Sequence, residues 1–410
     1  MNAIIPDPYA IPLDQLDPSD AALFENGNHL AYFERLRRED PVHFVDSKEF
    51  GPYWSITKFN DIVYVDSHHE LFSSEPSIII GDADPNFRTR SFIAMDPPLH
   101  DQQRAAVSPA VAPAQLHEWE ALIRSRIGDL LDELPVGETF NWVEKVSIEL
   151  TTMMLATLFD FPFEDRHKLP YWSDVATSSP AAGVKGIDAT TRVEILQECL
   201  EYFQRLRKER EKQPPKMDFI SLLVNNPSTA NMEPMEFMGN LILLIVGGND
   251  TTRNSMSASV VALNTHPEQY QKLLSDQSLI PNMVSEVIRW QTPLAHMRRI
   301  ATQDTEVGGK LIRKGDKVVM WYVSGNRDDE IIDNPNDFII DRKRARHHVS
   351  FGFGIHRCMG NRLAEMQLRI LWEELLARFS KVELVGEPVR VQSNFVMGYT
   401  DLPVVLHPRV

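Results

Sequence analysis

Apolar residues recur through most of this chain with a helical period, and only short stretches alternate as strands do. Residues 30–38 read as a helix, and residues 42–44 and 53–57 as brief strands. Residues 70–95 are irregular; Ile78, Ile79, Ile80 and Phe87 fit no helical period. From Pro98 to about Phe203 the pattern is largely helical, with a break rich in Pro, Gly, Ala and Ser at 177–186. A mixed-charge run at 205–212 reads as a solvated helix end, stopped by Pro214 and Pro215.

One segment stands apart by its length. Residues 234–264 read as a single helix, with Pro234 in the first turn and Pro267 beyond the end. At ~1.5 Å per residue it is on the order of 45 Å long, enough to cross a whole domain, so it is expected to be central and buried. Another helix is predicted at 279–290. Strands follow at 306–307, 311–312 and 318–323, separated by turns at Gly308-Gly309 and Lys314-Gly315-Asp316. A helix at 361–379 and a strand-like end complete the chain. The sum is mainly α with a minor β part. No linker, repeat or low-complexity run divides residues 1–410, so one large domain is expected.

Composition narrows the classes. Apolar residues make up 43%, ordinary for a globular chain, and the formal charge of −16 argues against nucleic-acid binding. Only Cys199 and Cys358 are present, which excludes a disulfide framework and fits a reducing cytosol. Cys199 lies in a helical pattern and reads as packing. The N-terminus is polar and proline-punctuated, without the basic start or apolar stretch of a signal. The longest apolar run, 241–246, is far short of the roughly 20 residues that span a bilayer. A cytoplasmic protein without a membrane anchor is expected.

Two constellations carry chemistry. Cys358 sits in Phe351-Gly352-Phe353-Gly354-Ile355-His356-Arg357-Cys358-Met359-Gly360, a turn-prone apolar loop that runs into a helix. Glycines let backbone approach a flat ligand, and loop amides can hold sulfur as thiolate. A lone thiolate with no second Cys nearby suits an axial ligand for haem iron better than zinc or an iron–sulfur cluster. The other constellation, Gly247-Gly248-Asn249-Asp250-Thr251-Thr252, is expected to interrupt the middle of the long helix. Two interior glycines cost roughly 1 kcal/mol each relative to Ala, and breaking a local rule in a buried helix points to function. Missing side chains would make room for a flat cofactor and a diatomic ligand. Thr251 could turn its hydroxyl into that space, and Asp250 could supply protons.

The Cys358 loop resembles the haem-binding signature of the cytochrome P-450 superfamily, with Phe351, Gly354, His356, Cys358 and Gly360 on its spaced positions. Asp250 and Thr251 resemble that superfamily's acid–alcohol pair. The resemblance runs from Trp54 to the C-terminus. It implies a P-450 fold, haem b held by Cys358, and O₂ as co-substrate. It also implies proton delivery by Asp250 and Thr251, which is general-acid work. Glu286 and Arg289 resemble the Glu-x-x-Arg pair, a structural device with a third partner, for which Arg342 is the candidate. His100 and Arg104 resemble a propionate clamp; Arg299 and His356 fit the remaining propionate positions, and Arg298 leaves the register of that arginine open by one. Gly247 and Gly248 complete the cofactor set.

A narrower resemblance rests on residues 247–256, 288–299 and 320–328, which look like the bacterial terminal alkane and fatty-acid hydroxylases. It implies an aliphatic substrate and electrons drawn indirectly from NAD(P)H through a separate ferredoxin and ferredoxin reductase. No fused reductase is expected after the final strands. The candidate pocket is apolar: Ile78, Ile79, Ile80, Phe87, Met95, Leu244, Leu294, Met297, Phe395, Val396 and Met397. A carboxylate anchor, if the substrate has an acid group, could be Arg88, Arg90 or Lys185. Arg342, Lys343, Arg344, Arg346, His347, His348, Arg357 and Arg362 are expected to form a basic patch that steers an acidic ferredoxin. Alternatives are a peroxide-driven fatty-acid hydroxylase, a hydroxylase of another apolar molecule such as a terpene, and a haem sensor or gas carrier. The proton pair speaks against the first and last of these.

Overall fold

The central helix runs unbroken from Pro234 to Thr265, 32 residues with Pro234 at its first position and Pro267 just past its end. The structure is a computed structural model and describes residues 5–82, 90–177 and 188–409. Phe87, Arg88 and Lys185 lie outside the described residues. Around the central helix pack Lys168–Thr177, Ala189–Arg210, Glu149–Leu158 with the π-helical turn Val143–Ile148 before it, Ile280–Gln291 and Asn361–Arg378. The main apolar core surrounds this bundle and takes in Trp142, Trp172 and Trp372, each fully buried. Helix makes up 53% and strand 14%, the mainly α balance that the sequence pattern predicts.

The interruption expected at 247–252 is absent. Helical pairing continues through both glycines because tertiary contacts hold that turn. A side chain on Gly248 would press on Leu155 at 3.0 Å, so Gly248 is where the helix Glu149–Leu158 packs closest. Beside it, Thr151 donates to Asn249 Oδ1 at 2.8 Å. Such packing outweighs the roughly 1 kcal/mol propensity cost of each glycine.

The strands form a five-stranded sheet in the order Val42–Ser47, Gly51–Ile56, Lys317–Trp321, His296–Ala301, Phe72–Ser73. Gly51–Ile56 and Lys317–Trp321 run parallel; the other neighbours are antiparallel. A second sheet joins Thr139–Asn141, Pro403–Pro408 and Phe379–Leu384. The strand expected to reach residue 323 ends at Trp321, and Tyr322–Gly325 is a helical turn. Thr139–Asn141 is a strand inside the stretch expected to be helical. Between Gly325 and Gly354 the chain has no helix or strand, and this long irregular passage leads straight into the Cys358 loop. Among the described residues, no helix is long and apolar enough to cross a membrane.

Candidate active site

The Cys358 loop is closed by its own backbone. Cys358 N–H donates to Phe351 O at 2.8 Å, and Gly354–His356 form one 3₁₀ turn. Gly352 and Gly354 both have φ of +64°, and a Cβ on Gly354 would strike the backbone oxygen of Asp66. Only glycine fits that position. The sulfur is accessible yet ringed by protein, and burial pushes the thiol above its usual range. The amide N–H groups of Gly360 and Asn361 and the cations Arg104 and Arg357 oppose that push. A positive centre at the sulfur would complete the shift to thiolate. Cys199, by contrast, is buried within Ala189–Arg210, and burial pushes its thiol well up.

Four polar side chains gather beside this loop. His100 and His356 meet ring to ring at 4.3 Å. His356 Nε2 bonds Ser74 Oγ at 2.8 Å, and His100 Nδ1 bonds Asp101 Oδ1 at 2.8 Å. Each ring keeps one buried nitrogen without a partner, Nε2 of His100 and Nδ1 of His356. Arg104 donates to the carbonyl of Arg357. Arg299 donates to Asp66 Oδ1 at 2.8 Å, and burial with Arg299, His100 and Arg104 nearby lowers His356 to about 2. The strand alternation decides the register that the sequence left open: Arg299 faces the loop, whereas Arg298 turns to the opposite side and binds Asp82.

Asp66 is a residue that sequence reasoning missed. Besides Arg299 it accepts Tyr322 OH at 2.9 Å and Phe353 N–H at 2.7 Å, both on Oδ2. One buried carboxylate thus ties a cation to the Cys358 loop. Its helix gives no signal, because all three partners lie more than 200 residues away in sequence.

On the central helix, Leu243, Gly247 and Thr251 recur at i+4 on an accessible face that also takes in Ile242, Val246 and Gly248, with Gly247 the exposed one. Gly247 has open space where a side chain would stand; Gly248, which the sequence grouped with it, faces Leu155 instead. Thr251 Oγ donates back to Gly247 O at 2.9 Å. Asp250 is buried and turns to the neighbouring helix, accepting from Ser173 Oγ at 3.2 Å and Asn249 Nδ2 at 2.9 Å, with Arg253 at 3.0 Å. Burial pushes its carboxyl up to about 6 against the pull of Arg253. A buried carboxyl poised near neutral pH, next in sequence to an accessible hydroxyl, can give and take protons.

Of the apolar candidates, Met95 and Leu244 are buried in the main core. Ile79, Leu294, Met297 and Phe395 are only half-buried, and Leu294 pairs with Val396 in an isolated bridge. Arg90 is exposed and lies 3.7 Å from Glu236.

Glu286, Arg289 and Arg342 come together. Arg289 and Glu286 are fully buried and paired through two bonds, at 2.7 and 2.8 Å. Arg342 reaches Glu286 Oε2 at 3.0 Å. Arg289 also donates to the carbonyls of Asn326, Pro335 and Asp337. Arg342 is therefore taken out of the basic patch. So is His348, which is buried and lowered to about 3 by desolvation. Lys343, Arg344, Arg346, Arg357 and Arg362 remain exposed there, and His347 partly so.

Comparison with known proteins places this arrangement. The family model described as Cytochrome P450 matches residues 187–400, over half of the chain. This chain belongs to the cytochrome P450 family. The P450 is 47% identical to the solved structure of cytochrome P450-153 from Novosphingobium aromaticivorans, with a TM-score of 0.89 over 96% of this chain and 99% of that one. It is 36% identical to linalool 8-monooxygenase of Pseudomonas putida, over 92% of this chain and 95% of the relative. It is 31% identical to methyl-branched lipid omega-hydroxylase of Mycobacterium tuberculosis, over 91% and 90%. It is a P450 monooxygenase, and the family implies a haem–thiolate iron, O₂ and an electron-supplying partner. The residues present fit haem. A ringed but accessible sulfur, two orphaned buried histidine nitrogens, two nearby guanidiniums and the bare Gly247 match a thiolate-ligated ring with two acid side chains.

Proposed function

We propose that this P450 hydroxylates a medium or long aliphatic chain at its terminal carbon, with electrons from a separate ferredoxin and ferredoxin reductase. Haem, when bound, supplies the redox-active iron at which O₂ is split. Cys358 would hold it through its sulfur. His100, Arg104, Arg299 and His356 would bind its propionates. Arg104 and Arg299 would bring charge, and His356 would donate through Nδ1 while Nε2 accepts from Ser74. His100, whose Nδ1 donates to Asp101, would donate through Nε2 as the imidazolium that a propionate favours. Thr251 orients a proton donor over Gly247, and Asp250, at about 6, resupplies it through rearranged water or side-chain contacts. Lys343, Arg344, Arg346, Arg357 and Arg362 form the face on which an acidic ferredoxin docks.

The observation that carries the substrate reading is the meeting of three apolar segments around Ile79, Leu294 and Phe395. Ala295 N–H donates to Phe395 O at 2.8 Å, and Arg298 N–H to Ile78 O at 2.7 Å. A methyl C–H is stronger than a methylene C–H, so terminal attack needs geometry that admits only the chain end. The lipid omega-hydroxylase relative supports that reading. The linalool relative favours a second one, a terpene alcohol as substrate. A panel of alkanes, fatty acids and linalool separates them. The haem spectral shift reports binding, and mass spectrometry locates the new hydroxyl. Predominantly terminal product from straight chains is expected. Interior products alone, or turnover of linalool only, overturns the first reading.

A further inference from the structure

The strand His296–Ala301 presents two sides. Met297 and Arg299 take the side of the Cys358 loop; His296 and Arg298 take the other and are buried, 0% and 3% exposed. Six bonds join His296 and Arg298 to the segment 78–82, two of them long ones of 3.5 Å from the Arg298 guanidinium to Ile79 O and Ile80 O. Arg298 N–H donates to Ile78 O at 2.7 Å, and Ile80 N–H donates to His296 Nε2 at 3.0 Å. The Arg298 guanidinium reaches Gly81 O at 3.1 Å and Asp82 Oδ1 at 2.7 Å. His296 Nδ1 meets Asn394 O at 2.8 Å.

These partners fix the ring's proton. The Ile80 amide can only donate, so Nε2 accepts, and the hydrogen sits on Nδ1, donated to Asn394 O. Trp321 and Phe395 hold the ring from the sides, at 4.9 and 5.3 Å. Burial lowers the imidazole to about 4, so it stays neutral and both bonds persist near neutral pH. Backbone pairing already joins the turn 395–397 to residues 293–295. The His296 ring is the link from that turn across to Ile80.

We infer that His296 and Arg298 are positioning residues that fix the two outer walls of the substrate channel, residues 78–82 and 394–397, and so select which carbon is presented for oxidation. The inference rests on the reading of these segments as pocket walls. Neither side chain needs to touch the substrate.

Haem-loaded His296→Asn, His296→Ala and Arg298→Gln test it, with dodecanoic acid and n-octane as probes. Amide hydrogen exchange is read by mass spectrometry, and product positions are read alongside. Asn can keep the bond to Asn394 O but is too short to accept from Ile80. His296→Asn should therefore speed exchange at 79–81 and spare 394–397, whereas His296→Ala should speed both. Losing one buried hydrogen bond shifts an equilibrium about two- to tenfold, and the ratio between the wild-type enzyme's two main products should move by that factor. The thiolate carbon monoxide spectrum should stay intact. Arg298→Gln should act on 80–82 and on the same ratio, which keeps the test open if the His296 variants fail to fold. Unchanged exchange at 79–81, or faster exchange with an unchanged ratio, overturns the inference. If the wild type makes no terminal product, the terminal reading fails, while the ratio of its actual products still decides the role of His296.

Discussion

Replacing Asp250 by Asn tests both the energetics and the chemistry of the central helix. The carboxyl is 1% exposed and stands at about 6, against 3.8 for an ordinary aspartate. A group whose folded pKa is raised favours the native state when protonated. That contribution is complete below about pH 3.8 and is lost as pH rises through about 6. Taking those two values, the lost stability is on the order of 2 kcal/mol at pH 5 and 3 kcal/mol at pH 7. Asn cannot ionise. The difference in unfolding free energy between variant and wild type should therefore move in favour of the variant by on the order of 1 kcal/mol from pH 5 to pH 7. Urea unfolding of the two haem-loaded proteins at both pH values measures this. A difference that stays flat, or moves the other way, refutes the claim that a buried, reluctant anion sits at 250. The same variant should turn over more slowly while its substrate-induced spectral shift is unchanged; equal turnover rules out a proton role.

Thr251→Ala should raise peroxide release and lower product formed per NADH, measured in the reconstituted system; full coupling would count against the hydroxyl. Cys358→Ser should abolish the thiolate-specific carbon monoxide spectrum and turnover together. Glu286→Ala leaves Arg289 and Arg342 without their shared carboxylate, and breaking a buried pair costs about 3–5 kcal/mol, visible as a lower denaturant midpoint and poor haem retention. Gly354→Ala forces a side chain into left-handed backbone and against Asp66; a loss of about 1–3 kcal/mol or more is expected in thermal unfolding.

The long helix and the Cys358 loop were legible because each breaks the background pattern, one by length and one by glycine density. The Glu286, Arg289 and Arg342 cluster was legible only through the family resemblance, since an acid–base pair at i and i+3 on a helix is commonplace by itself. The strand His296–Ala301 was not, since His, Arg and Arg dilute the apolar alternation that marks a half-buried strand. Asp66 escaped for a different reason: an aspartate in an ordinary helix carries no sign of partners at residues 299, 322 and 353. The break expected at Gly247 and Gly248 failed because propensity is a weak prior beside the contacts of Leu155 and Thr151. His348 was counted as surface charge from composition alone, and burial keeps it neutral.

The irregular passage between Gly325 and Gly354 has no ladder of its own to hold it, yet the carbonyls of residues 326, 335 and 337 all converge on the one guanidinium of Arg289. Displacing Arg289 would take a donor from three points of the passage at once, with Arg327 still on Pro335 O and Arg342 still on Asp337 O, so the passage should open as one block rather than fray from its ends. Lysine, a point charge without the planar fork, could not tie it, and even a charge-preserving exchange at 289 would set the approach to Cys358 adrift.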